Sequence, residues 1–152
     1  MQWCKTLSMV EAHAEGEAGR VVTAGLPPIP GASLLEKMTH LNEVDDSLRR
    51  FLVFEPRAAA QMSTNILLSP THPAADAAFI VLQADRAHAM SVSNAICVVT
   101  VLLETGIVAM TEPESRLLLE TPAGLVTATA TCRDGKCERV ALELPPCFVL
   151  QR

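Results

Sequence analysis

The chain of 152 residues has no tyrosine, one tryptophan and four phenylalanines, so aromatic residues are only 3% of it. A platform that stacks bases or sugars needs several such rings on one face, and this scarcity excludes one. Positive charge is also short. Twelve Lys and Arg against seventeen Asp and Glu leave a net charge of -5, with no basic cluster that could neutralise a phosphate backbone, so a nucleic-acid partner is not expected. Long apolar runs are missing. The longest, around Ala95 to Leu103, falls far short of the ~20 residues that a membrane span needs. Before Val10 there is one lysine and no sustained apolar stretch, so neither a signal peptide nor a membrane partner is expected. Dense cysteine spacing is absent too. Cys4, Cys97, Cys132, Cys137 and Cys147 are odd in number and scattered, unlike a secreted disulfide scaffold, and a reducing, cytoplasmic setting is the expectation.

What is present points to one packed unit. Hydrophobic residues are 49% of the chain and its mean hydropathy is +0.28. Charged residues, at 19%, fall below the ~25% usual in soluble domains. Such a composition is not that of a disordered chain, and its length suits a single domain, residues 1–152, with a core that needs no disulfide or metal staple. Ser33 with Glu36 matches a capping box, and Leu34, Leu35, Met38 and Leu41 then share a face, which predicts a helix from Ser33 to Asn42. Arg20–Ala24, Phe51–Phe54, Asn65–Leu68 and Ala77–Leu82 are short apolar runs bounded by Gly or Pro, which predicts strands. Leu125–Cys132 and Cys137–Leu144 alternate around Asp134-Gly135, the signal of a β-hairpin.

One segment departs from the strand pattern. From Ser93 to Thr105 the chain is apolar on almost every face, and Gly106 follows at the position after a helix end. Its β-branched residues suit a strand, but its length, the Ser/Asn cluster before it and the glycine after it predict a buried helix. The fold class is then α+β, with strands curled around one central helix. At the helix's amino end, Ser91-Val92-Ser93-Asn94 offers backbone N–H groups, the positive end of the dipole and two hydroxyls, a setting suited to a carboxylate or phosphate. Ordinary N-capping by Ser or Asn is the simpler account of the same residues.

Several motifs resemble, in order, those of the proline racemase family, which also holds hydroxyproline epimerases and 3-hydroxyproline dehydratases. They are the run Glu11 to Gly25, Pro30-Gly31, Glu55-Pro56-Arg57, Met90-Ser91-Val92-Ser93-Asn94, Glu104-Thr105-Gly106 and Thr121-Pro122-Ala123-Gly124-Leu125, spread from Met9 to Phe148. The resemblance implies one lobe of the diaminopimelate epimerase-like fold, a curled, mostly antiparallel sheet around a buried helix. It also implies a proline or hydroxyproline substrate held between two lobes, and no cofactor.

Departures from the family's pattern shape the expected chemistry. Where the racemases carry Cys-Gly-His after the methionine, this chain has Ser91, Val92 and Ser93. A hydroxyl is far less acidic than a thiol of pKa about 8.5, so Ser91 is a poor proton-abstracting base. The loss of one thiol resembles the trans-3-hydroxy-L-proline dehydratases, in which one strong base suffices, and that is the activity expected. An inactive lobe or ligand-binding remnant, or a 4-hydroxyproline epimerase-like protein, is the alternative. In the dehydratase picture Ser91 orients substrate or shuttles a proton, and Val92, Ser93 and Asn94 hold the carboxylate through their amides. Ser63 touches the ring in the same picture; otherwise it is a plain loop serine. The family's second lobe follows a Pro-x-Phe element like Pro146-Cys147-Phe148, so the chain is expected to be the N-terminal lobe alone, inactive unless joined by a separate second lobe; a homodimer is also expected, which would bind an imino acid but not take its proton. Ala58 and Val92, at positions where the family usually has glycine, add a Cβ that could block a ligand. His13 with Glu17 could hint at a metal pair, but His40, His72 and His88 are scattered and no metal is expected.

Overall fold

The computed structural model describes residues 6–144 and 146. Cys4, Cys147 and Phe148, and so most of the Pro-x-Phe element, lie outside the described residues.

Ser8–Val10 forms β1, His13–Ala14 β2 and Glu17–Ala24 β3; helices α1 (Leu34–Glu43) and α2 (Ser47–Val53) follow. Then come β4 (Ser63–Leu68), β5 (Ala77–Leu82), β6 (Ala87–His88), helix α3 (Val92–Glu104), β7 (Glu114–Thr121), β8 (Gly124–Arg133) and β9 (Lys136–Glu143). The strands form one sheet in the order β1-β3-β4-β5-β7-β8-β9, with β2 added to β3 and β6 to β5. Only β3 with β4 and β5 with β7 run parallel, so the expected α+β class with a mostly antiparallel sheet is what forms. No helix of the described residues is long and apolar enough to cross a membrane.

Adjacent side chains of a strand face opposite sides of the sheet, and here each side has its own core. Val21 packs with α3, Phe79, Leu117 and Val126. Val22 packs on the other side with Leu41 of α1, Leu52 and Val53 of α2, Ile66 and Ile80. Strand β5, covered on both faces, is buried along its whole length, which explains why its sequence is a continuous apolar run rather than an alternating one. The β7 and β8 strands alternate instead, one face on α3 and the other outward.

Helix α3 buries Asn94, Ala95, Cys97, Val98, Val99, Val101, Leu102 and Leu103 as it lies against the sheet from β3 to β9. Its apolar surround is therefore consumed, as expected of a helix without a polar face. Gly106, at φ 72°, ends it in the left-handed region. Glu104 then ties the helix to the hairpin, accepting from Lys136 Nζ at 2.8 Å and from the Cys137 amide at 3.1 Å. The hairpin itself turns through Asp134 and Gly135, both at positive φ, as the Asp-Gly signal requires. Helix α1 begins as expected: Ser33 Oγ accepts from the Glu36 amide at 3.2 Å, and Glu36 reaches back to the Ala32 amide at 2.8 Å.

One expected strand is a helix. Phe51–Phe54 falls in and just after α2, because Leu48 and Leu52, and Arg49 and Val53, recur at a spacing of four and turn Leu52 and Val53 into the core. Phe51 and Phe54 stay exposed, under the guanidinium groups of Arg57 and of Arg49 and Arg50. Strand β7 was not expected, since Ser115 and Thr121 occupy inward positions while Leu118 is only half-buried, which hides its alternation.

Sheet and helix approach closely at Gly19. A Cβ there would lie 2.7 Å from Cys97 Sγ, 2.9 Å from Cys97 Cβ and 3.2 Å from Asn94 Oδ1. Gly19→Ala is expected to destabilise the fold by about 1–3 kcal/mol through overpacking, measured by denaturant unfolding; an unchanged midpoint would mean that β3 and α3 can separate freely.

Candidate functional site

The amino end of α3 emerges beside the sheet at the start of β4. Gly19 pairs with Ser63, and Val21 with Asn65. Val21 faces α3, so Ser63 and Asn65 share that face, as does Gln83, two residues beyond Val81. A polar group in an otherwise apolar layer needs partners. Asn65, fully buried, donates from Nδ2 to the Arg20 carbonyl at 3.2 Å and to Asn94 Oδ1 at 2.8 Å. Asn94, also buried, donates from Nδ2 to Ser91 Oγ at 3.0 Å. Ser93 Oγ lies 3.4 Å from Ser91 Oγ.

Ser91 occupies the N-cap position with extended backbone, but its side chain makes no capping hydrogen bond. Its carbonyl begins the helix by accepting from the Ala95 amide at 2.9 Å, while its hydroxyl is engaged by Asn94 instead. Simple capping, the plainer account of this serine, is thus not what the hydroxyl does. The first turn carries no acidic side chain either, so no carboxylate of that turn offsets the partial positive charge of its N–H groups. Val92, the first helical residue, is 47% exposed and opens this end to solvent.

The structure brings Ser91, Val92, Ser93 and Asn94 into one cluster. Ser63 stands on the same face but is nearly buried and accepts from Gln83 Nε2 at 3.0 Å, with no hydrogen bond to the cluster. Asn65, Gln83 and Gly19 escaped sequence reasoning. For Asn65 there was a signal, an asparagine heading the apolar run Ile66-Leu67-Leu68, where strands seldom place one.

Two thiols among the described residues are disfavoured as thiolates. Burial, and secondarily the charge of Glu17, raises the pKa of Cys97. Burial raises that of Cys137 as well. His13 accepts from the Gly16 amide at 3.3 Å in the turn between β2 and β3, a structural role. Arg20 is held by Glu11 Oε1 at 2.7 Å and donates to the Arg57 carbonyl at 3.0 Å, pinning the loop after α2 to β3. Among the described residues no group of three or more His, Cys, Asp or Glu could hold a metal ion.

Residues 9–152 match the family model described as proline racemase. The chain is 56% identical over 151 residues to 4-hydroxyproline 2-epimerase 1 of Rhizobium rhizogenes, covering 98% of this chain and 44% of that protein. It is 54% identical to the 4-hydroxyproline 2-epimerase of Agrobacterium fabrum over the same shares. The chain thus spans less than half the length of the curated relatives it matches. Among solved structures, a hydroxyproline epimerase from Agrobacterium vitis with bound trans-4-hydroxy-L-proline superposes with a TM-score of 0.91 at 49% identity, over 93% of this chain and 42% of that one. A probable proline racemase from Agrobacterium radiobacter with bound carbonate gives 0.89 at 57%, over 90% and 41%. Methylitaconate-delta-isomerase, at 20% identity and a TM-score of 0.55, shares the fold alone.

Because Cys97 is buried against β3 with a raised pKa, its alkylation by iodoacetamide at pH 7.5 should be at least about tenfold slower in the folded chain than in urea. Mass spectrometry of the labelled peptide reads the ratio; equal rates would make Cys97 an accessible thiol and a rival to Ser91.

Proposed function

The chain belongs to the proline racemase family, and from that premise we propose that it forms the carboxylate-binding half of a site acting at C2 of hydroxyproline, as a 4-hydroxyproline 2-epimerase does. The observation that carries this reading is the uncapped amino end of α3 with a serine hydroxyl beside it. Removing the C2 proton of an amino acid drives charge onto its carboxylate. Amides of Val92, Ser93 and Asn94 aimed at that carboxylate stabilise the charge where it develops, and they need no reorganisation to do so. In this reading Ser91 is the group that faces C2.

An epimerase needs a proton removed from one face and one returned to the other. As a hydroxyl, Ser91 is suited to returning a proton and poorly suited to abstracting one. The abstracting base then comes from beyond the described residues, whose Cys97 and Cys137 thiols are disfavoured as thiolates by burial. The rest of such a site, its base included, belongs to a second half of the kind the longer relatives contain; a second copy of this chain would add another Ser91 and bind the ligand without taking its proton. Ser63, on the α3 face of β4, would meet the ring if Gln83 released it.

Ser91 in place of a thiol also suits a dehydratase, which was the first expectation. The relatives named above are 4-hydroxyproline 2-epimerases, and they tip the reading toward epimerisation. In D2O, the protein at its full length is expected to convert trans-4-hydroxy-L-proline to its C2 epimer with deuterium at C2, and Ser91→Ala to slow this about a hundredfold. NMR follows both. Water loss from trans-3-hydroxy-L-proline without exchange in the 4-hydroxy compound would return the dehydratase reading, and inertness toward both would leave a ligand-binding lobe.

A further inference from the structure

Buried amide side chains are directional: one end only donates and the other only accepts. Asn65 sits with its Nδ2 between two oxygens, the Arg20 carbonyl at 3.2 Å and Asn94 Oδ1 at 2.8 Å, while its own Oδ1 is buried without a hydrogen-bond partner. The Arg20 carbonyl cannot reverse, because it belongs to the backbone of β3. Suppose both amides turned over. Asn65 Oδ1 would then face the Arg20 carbonyl, oxygen to oxygen, and the two N–H donors of Asn65 would take the place where no partner stands. The observed sense makes three hydrogen bonds and leaves one acceptor unpaired; the reversed sense makes two and leaves two donors unpaired, which is the costlier state. The direction therefore runs one way, from Arg20 to Asn65 to Asn94. Asn94, with its Oδ1 filled by Asn65, can only present Nδ2 to Ser91.

We infer that Asn65 and Asn94 are positioning residues that make Ser91 Oγ an acceptor on the Asn94 side, so that its proton is left for the long contact to Ser93 Oγ at 3.4 Å or for a carboxylate-bearing ligand that meets the amino end of α3 and outcompetes it. The inference rests on the site reading above and deepens it, since it gives Ser91 a fixed sense as donor to the ligand. Neither asparagine would touch the ligand through its side chain. Asn65 is fully buried and Asn94 is 1% exposed, so both act only through the hydroxyl.

The test uses the chain of 152 residues with pyrrole-2-carboxylate, a planar mimic of a deprotonated imino acid, as the probe. In the wild type, Asn65→Leu should weaken calorimetric binding about tenfold, the worth of one lost hydrogen bond. In a Ser91→Ala background the same change should cost less than about twofold, because the group through which Asn65 acts is gone. Equal losses in both backgrounds would make Asn65 merely structural and overturn the inference, as would no loss in the wild type. A second measurement needs neither ligand nor a folded Asn65 variant. In the amide spectrum of the 15N-labelled chain, Ser91→Ala should move an Asn94 Nδ2 proton upfield as it loses its acceptor, and an unmoved signal would show that Asn94 faces Ser91 with its oxygen. If the wild type does not bind the probe while that signal moves as expected, the directed chain stands and the carboxylate-site reading fails.

Discussion

The burial of α3 against the sheet is the interaction on which the rest of the molecule depends. A helix apolar on nearly every side has to be enclosed, and the strands from β3 round to β9 enclose it. Enclosure leaves the two ends as the places where its polar character can emerge. The carboxyl end is closed by Gly106 and by Glu104 reaching to the hairpin. The amino end is left without a side-chain cap. Gly19 permits this arrangement, because at that point helix and strand approach more closely than any Cβ would allow. The same close approach brings Asn94 within reach of Asn65, so packing and polar geometry at the site have one origin.

Placing a hydroxyl rather than a thiol at the end of the helix changes what the site can do. Burial holds the Cys97 and Cys137 thiols toward the protonated form. The hydroxyl of Ser91 is held by Asn94 and backed by the amides of the first turn, a setting better suited to steadying an anion and handing over a proton than to taking one.

Much of this was legible in the sequence. The capping box of α1, the Asp134-Gly135 turn and the glycine ending α3 are local signals, and local signals fixed those elements to within a residue or two. The order of motifs pointed to the family and the lobe. What escaped was whatever depends on partners distant in sequence. Phe51–Phe54 looks like a strand until Leu48 and Arg49 are counted with it, and only the sheet behind α2 decides the matter. Asn65 and Asn94 are 29 positions apart, so no spacing rule joins them. Ser63 was expected near the ring, yet its hydroxyl is taken up by Gln83, a residue that nothing in the local sequence singles out.

The central claim is that the amino end of α3 receives the carboxylate of a hydroxyproline. Titrating the 15N-labelled chain with trans-4-hydroxy-L-proline and following the backbone amides tests it most directly. The account predicts that the largest shifts fall on Val92, Ser93 and Asn94, saturating together. Saturable shifts centred elsewhere, or none at millimolar ligand, would contradict it.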